Sequence, residues 1–308
     1  MRLLFISSGN SDFGISPIIL NQAESIKPFV DDIKIFSIKG KGITGYLKNL
    51  ITLKRFIREN NIDICHAHYS YSSYLASLVK IKPLVVSLMG SDVHKNNLEK
   101  VIIRFFNFFI WDKCIVKSQK MKKNLGIRKA EIVPNGVNMD KFIPLDKNIA
   151  LQKTGWNPQK KHILFAADPK RFEKNYTLAN ESFKLIKNND VELHDLQNIP
   201  NDKMVYYFNS CDVVLLTSFW EGSPNVIKEA MACNCPIVTT NVGDVNWILG
   251  KTPGCFIAEF QNEDVSNKLQ EALLFNSKTS GRDHIKEIGV DSENIAKQLI
   301  RIYQDVLV

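Results

Sequence analysis

Ser218-Phe219-Trp220-Glu221-Gly222-Ser223-Pro224-Asn225-Val226-Ile227-Lys228-Glu229-Ala230-Met231-Ala232 is the stretch whose reading decides the fold. Just upstream, Asp212-Val213-Val214-Leu215-Leu216-Thr217 is an apolar run of strand length, rich in β-branched residues. That is the pattern of a parallel strand buried on both faces. Gly222 permits a sharp turn. Ser223 is suited to cap a helix and Pro224 to open it, because the first helical position has no use for an N–H. The pattern predicts a helix from Pro224 to about Cys233, ended at Asn234 with Pro236 just beyond, and then a strand at Ile237–Thr240. Strand, loop, helix and strand in this order form the unit of an open parallel sheet, and such sheets bind ligands at the carboxyl ends of their strands.

The loop also has a chemistry. The free N–H groups of Asn225 and Val226, with the helix dipole behind them, suit an anion such as a phosphate. Glu221 and Glu229 flank this positive end, with seven residues between them. Carboxylates repel phosphate but accept hydrogen bonds from hydroxyl groups, such as those of a sugar or a ribose. A loop that receives phosphate and hydroxyls together points to a nucleotide sugar.

Working outward, the 308 residues leave room for two domains of ordinary size. Strand-like runs at Leu3–Ser7, Asp32–Ser37, Ile62–His68, Leu84–Leu88, Cys114–Val116 and Glu131–Pro134 alternate with helical patterns. That alternation predicts a doubly wound α/β sheet. The polar stretch from about Asp146 to Lys161, with Gly155 and Pro158, reads as the connection between domains. A second strand series starts at His162–Ala167, and the loop Asp168-Pro169-Lys170-Arg171-Phe172-Glu173-Lys174-Asn175 follows it. The expected domains are 1–150, 151–290 and a tail at 291–308 that reads as an amphipathic helix from Ser292 to Val308.

The composition is that of a globular protein, with 44% hydrophobic and 23% charged residues, and no apolar run reaches membrane-spanning length. The first residues read as a strand running into a loop rather than as a signal peptide. Six cysteines without framework spacing fit a reducing cytoplasm, and Cys233 and Cys235 lack the second pair or His cluster of a metal site. The net charge of +8 has a plain reading, solubility, and a functional one, attraction to anionic lipid or anionic substrates; the expected location is the cytoplasm, with the inner face of the plasma membrane as an optional point of contact. The basic residues are spread out without an aromatic-basic motif, which speaks against nucleic acid. Val101-Ile102-Ile103-Arg104-Phe105-Phe106-Asn107-Phe108-Phe109-Ile110-Trp111 is apolar almost all round and reads as a core helix; the alternative is a surface that touches a membrane near a lipid-linked acceptor.

With these landmarks in place, the chain resembles the retaining glycosyltransferases of family four. Glu221-Gly222-Ser223-Pro224-Asn225 through Glu229-Ala230 looks like that family's pair of glutamates with seven residues between them. Val133-Pro134-Asn135-Gly136-Val137-Asn138 with Phe142 looks like its inter-domain turn. Asp63–His68, Ser87–Asp92 and Asn241–Val245 resemble its strand-end motifs, and Arg171 and Lys174 are similar to its paired phosphate cations. The resemblance implies a GT-B fold, two Rossmann-like domains facing across a cleft, with a tail helix that crosses back to the first. It implies transfer of a sugar from a nucleoside diphosphate to a lipid-linked or polysaccharide acceptor with retained configuration, by front-face attack, without a metal or other cofactor.

By this resemblance Glu221 is the carboxylate at the donor sugar and Glu229 the one at the ribose. Arg171 and Lys174 neutralise the diphosphate, joined by contacts from Gly14, Gly222, Ser223, Pro224, Asn225 and Val226. Asp92 and His68 are the acceptor-side candidates, while His66, inside its strand, reads as packing. Met89 stands where the family often has His, so that residue's role does not transfer. Two other readings stay open: a nucleotide-sugar epimerase of the same architecture, and a non-catalytic nucleotide-sugar-binding protein.

Overall fold

The computed structural model describes residues 1–11, 14–92, 97–197 and 199–308. They divide into two compact units, Met1–Gly136 with Ser292–Val308, and Val137–Asp291. The first unit is built on β1 (Arg2–Ser8), β2 (Asp32–Ile38), β3 (Ile64–His68), β4 (Leu84–Ser87), β5 (Lys113–Val116) and β6 (Glu131–Ile132). They lie in the order β2-β1-β3-β4-β5-β6 and pair in parallel throughout. The second unit is built on β7 (Lys161–Phe165), β8 (Val191–Asp195), β9 (Val213–Leu216), β10 (Ile237–Thr240) and β11 (Cys255–Ala258). Their order is β11-β10-β9-β7-β8, again parallel. The central strands β3, β4, β9 and β10 are buried at every residue, as strands of a sheet covered on both faces are.

In the second sheet the chain goes from β7 to β8 on one side and then to β9 on the other. The strand order reverses between β7 and β9. At such a switch point the connections leave in opposite directions and open a crevice at the carboxyl ends of the strands. The loop after β7 carries Lys174, and the loop after β9 carries Glu221.

The stretch read as a polar connection has structure of its own. Asp146 caps a helix at Lys147–Thr154, its carboxylate accepting from the amides of Asn148 (2.9 Å) and Ile149 (3.1 Å). Gly155 ends that helix in the left-handed region at φ 74°. Val137 and Phe142 are buried in the core of the second unit with Leu164, Phe208 and Ile227. The chain therefore leaves the first unit after Gly136 rather than near 150. Polarity hid a helix whose cap signals, Asp before and Gly after, are both in the sequence.

The tail helix Ser292–Leu307 belongs to the first unit and buries Ile295, Ala296, Leu299, Ile302 and Tyr303 at helical spacing against Leu3, Phe5 and Ile19. The Tyr303 hydroxyl meets His66 Nδ1 at 2.6 Å, and His66 Nε2 meets Ser87 Oγ at 2.8 Å. The Lys117 ammonium donates to Ser87 Oγ (3.4 Å) and to the Val133 carbonyl (3.3 Å). All four side chains are fully buried. An unpaired polar atom there costs about 1–3 kcal/mol, so the network fixes how the tail helix docks.

Candidate active site

Three loops at the carboxyl ends of β7, β9 and β10 are tied together. Lys174 ends a short 3-10 turn, Phe172–Lys174, and its ammonium donates to Glu221 Oε1 at 2.5 Å. Ser218 Oγ donates to the same oxygen at 2.8 Å. Thr217 Oγ1 donates to the carbonyls of Lys174 (3.1 Å) and Asn175 (2.9 Å), and the Phe219 amide donates to the Glu173 carbonyl. Thr240 Oγ1 donates to the Ser218 carbonyl at 2.9 Å. Gly243, at φ +58°, packs so closely under Gly222 that a Cβ there would stand 2.9 Å from the Gly222 carbonyl oxygen. Side chains of Lys174 and Glu221 are only 11% and 16% exposed. Arg171 goes elsewhere: its guanidinium is 56% exposed and binds Glu173 Oε1 from Nε (2.8 Å) and an NH2 group (2.5 Å). The structure thus joins Lys174 to Glu221 and leaves Arg171 at the rim.

The helix after this loop runs Asn225–Ala232 with Pro224 as its cap, and no side chain caps it. It starts one residue later than expected because Ser223 is otherwise engaged. Ser223 Oγ accepts from the Lys228 ammonium at 3.0 Å and lies beside Asp244. Burial pulls Lys228 down to about 8 and pushes Asp244 up to about 6. The amides of the first helical turn, starting with Asn225 and Val226, have no capping oxygen of their own, and the dipole favours an anion in front of them. Asn225 Oδ1 is buried and has no hydrogen-bond partner among the described residues. One turn on, burial pushes the Glu229 carboxyl up to about 7, against the opposing hydrogen bond of Asn201 and the charge of Lys141. Lys141 in turn donates to Asn201 Oδ1 at 2.5 Å.

In the first unit, Gly14 (φ +74°) and Asp92 line one cavity of about 320 Å³ at the carboxyl ends of β1, β3 and β4, with Ser7, Ser8, Tyr69 and Tyr71. Among the described residues, chain neighbours aside, nothing lies within 4 Å of the place where a Gly14 Cβ would stand. Both oxygens of Asp92 are committed to backbone: Oδ1 accepts from the Ser70 amide (3.1 Å) and Oδ2 from the Met89 amide (2.6 Å). Asp92 thereby shapes the cavity floor and holds the Met89 loop to the start of the helix Ser70–Leu78. His68 does not line the cavity. It is 1% exposed, stacked on His66 at 4.2 Å and set edge-on to Phe5, and burial lowers its pKa well below the ordinary value. Although His68 is the last residue of β3, its ring is buried among side chains, and its Nε2 has no hydrogen-bond partner among the described residues.

The apolar helix also differs from the core reading. It spans Asn97–Phe109, and Ile103 is its one buried residue. Val101, Phe105, Phe108 and Phe109 are 53–78% exposed. Beside it lies an apolar cavity of about 560 Å³, lined by Ile43, Tyr46, Tyr74, Leu78, Ile102 and Phe106 among others. Tyr46 and Tyr71 line this cavity and the polar one alike. No helix among the described residues is long and apolar enough to cross a membrane.

Sequence reasoning passed over Lys228, Asp244, Asn201 and Lys141. Lys228 carried a signal, since a lysine between Ile227 and Ala230 on a buried helix needs a partner. Asn201 and Lys141 carried none, because they reach Glu229 from distant parts of the chain. No residue of these loops joins the one group of potential metal ligands among the described residues, His162, Glu192 and His194.

Two parallel α/β sheets, with charged groups gathered at a switch point, are the architecture of the GT-B fold. Residues 10–119 match the family model described as glycosyl transferase 4-like, and residues 158–274 match the one described as glycosyl transferases group 1. The chain belongs to this group, the GT-B glycosyltransferases of the family-four kind. It is 28% identical over 255 residues to an uncharacterised glycosyltransferase of Methanocaldococcus jannaschii, covering 77% of this chain and 71% of that one. It is 22% identical to the UDP-Gal:alpha-D-GlcNAc-diphosphoundecaprenol alpha-1,3-galactosyltransferase of Escherichia coli, over 83% of this chain and 78% of that one. The sucrose-phosphate synthase of Thermosynechococcus elongatus shares the fold, with a TM-score of 0.83 at 13% identity over 99% of this chain and 98% of the other.

Glu229 gives a pH test. Its pKa rises from an ordinary 4.5 to about 7 on folding, so between these values the native state binds more protons than the unfolded one. Stability contributed by this group then falls as pH rises through that window. Glu229→Gln is expected to raise the melting temperature at pH 8 and to do so less, or not at all, at pH 5. Equal shifts at both pH values would contradict the buried, costly carboxylate.

Proposed function

We propose that the chain is a retaining glycosyltransferase that moves a sugar from a nucleoside diphosphate to a lipid-linked saccharide in the building of a cell-envelope polysaccharide. The observation that carries the reading is the Lys174–Glu221 pair at the switch point, beside an uncapped helix start. A diphosphate is met there by the Lys174 ammonium and the amides of Asn225 and Val226, with Arg171 at the rim. Glu221, released from Lys174, accepts a hydroxyl of the donor sugar and faces the positive charge that develops at the anomeric carbon. Glu229 accepts from the ribose. As the bond from the anomeric carbon to the phosphate oxygen breaks, the acceptor oxygen bonds to the same face, and its proton passes to the departing phosphate. Every charge this step needs is supplied by the chain and the substrate, so transfer proceeds without a metal. The E. coli relative supports a uridine diphosphate sugar as donor and a polyprenyl diphosphate saccharide as acceptor.

The first unit suits such an acceptor. The saccharide and diphosphate enter the polar cavity of Gly14 and Asp92, and the polyprenyl chain lies in the adjoining apolar cavity and along the exposed face of Asn97–Phe109. Exposed Lys41 and Lys48 flank the cavity-lining helix Gly42–Leu47 and attract anionic lipid.

Incubation with UDP-hexoses and a polyprenyl-diphosphate saccharide in EDTA is expected to give product with the donor's anomeric configuration, as read by NMR; the opposite configuration would refute retention. Glu221→Gln is expected to lower kcat by about 10²–10³-fold while UDP binds as tightly or more so, because Lys174 has lost a competitor. A loss of UDP affinity with kcat intact would remove Glu221 from the transition state. The double variant Phe105→Ser, Phe108→Ser is expected to float poorly with anionic vesicles and to raise KM for the polyprenyl acceptor several-fold but not for a short-chain analogue. Equal KM changes for both acceptors would sink the lipid-seat reading.

A further inference from the structure

The edge of the second sheet carries a cluster that the transfer reaction does not use. Parallel register sets His162 of β7 beside Glu192 of β8, and the two-residue repeat of a strand brings His194 to the same face. His162 Nδ1 and His194 Nε2 are 3.0 Å apart, and Glu192 Oε2 lies 3.7 Å from the first and 3.5 Å from the second. A tetrahedral zinc site with bonds of about 2.0–2.1 Å spaces its ligand atoms about 3.3–3.4 Å apart. The three observed edges bracket that spacing. We propose that His162, Glu192 and His194 hold a divalent transition-metal ion, zinc by ligand type, with a fourth position open to water.

The surroundings orient His162 and Glu192 as ligands and fix the ring of His194 by stacking. His162 Nε2 faces the Asn157 carbonyl at 2.9 Å. A carbonyl only accepts, so Nε2 carries the hydrogen and Nδ1 keeps its lone pair toward the cluster. Lys160 holds the other oxygen of Glu192 at 2.9 Å and leaves Oε2 turned inward. Trp156 stacks on His194 at 3.9 Å, and Tyr207 packs against Trp156. Two imidazoles and a carboxylate suit zinc better than calcium or magnesium. Without an ion, the imidazoles pair with each other and Glu192 Oε2 stays beyond good hydrogen-bond reach of both. The ion ties edge strand β8 to β7. His162 sits at the amino end of β7, away from the loop to Lys174, so the role is structural.

The test uses the full chain without a polyhistidine tag, stripped by chelator, dialysed and titrated with zinc. One equivalent per chain at micromolar free zinc and a rise in melting temperature are expected. Cobalt is expected to give the visible absorption of a four-coordinate site. His194→Ala is expected to weaken zinc binding by about 100-fold or more, beyond the 10–100-fold that loss of an outer-shell partner costs. Glu192→Gln, at a partly exposed position where the fold tolerates change, is expected to weaken it by about 10-fold or more. No zinc uptake by the wild type, or equal uptake by wild type and both variants, would overturn the assignment.

Discussion

An ammonium and a carboxylate held 2.5 Å apart, with little of either side chain in water, are the constraint around which the second unit is arranged. Taking two charges out of water costs several kcal/mol each, and their attraction returns that only when geometry is fixed on every side. Here it is fixed by loops from three neighbouring strands: Thr217 on the backbone of Lys174 and Asn175, Ser218 on Glu221, Thr240 on Ser218. The close approach of Gly243 to Gly222 completes the frame. The next helix adds charges that burial pushes toward neutrality, Lys228 down to about 8 and Glu229 up to about 7. Buried charges gathered at a switch point mark this end of the sheet as the candidate site.

The first unit uses the same topology for another end. Four of its interior polar groups, Tyr303, His66, Ser87 and Lys117, are joined in one network that fixes the tail helix. On its surface one helix buries a single residue and leaves its aromatic face in solvent. An exposed apolar face of this kind suits a unit that receives an amphiphile.

The parts of the fold that were legible in the sequence were those with strong local periodicity. The six strands of the first sheet, and β7, β9 and β10 in the second, read directly from short apolar runs set between helical patterns, clearest in the central strands that are buried on both faces. The loop with Glu221 and the helix to Glu229 read from turn chemistry. The misses have physical reasons. The helix Lys147–Thr154 has a weak apolar stripe, so its polar surface resembled a linker. Asn97–Phe109 was read as core because apolar content does not say whether a partner covers it. His68 and Asp92 were chosen by their place at strand ends; His68 points into the core, while Asp92 lines the cavity and accepts from the amides of Ser70 and Met89. Ser223 failed as a cap because Lys228, one turn on, competes for its hydroxyl. The ligand triangle of His162, Glu192 and His194 depends on register between two strands, which no local pattern announces.

The central claim is that a nucleoside diphosphate is held at the switch point of the second sheet. A crystal structure of the protein with UDP tests it most directly. The account predicts the diphosphate against Lys174 and the amides of Asn225 and Val226, with the ribose on Glu229. A nucleotide seated away from these groups, with the Lys174–Glu221 pair intact, would contradict it.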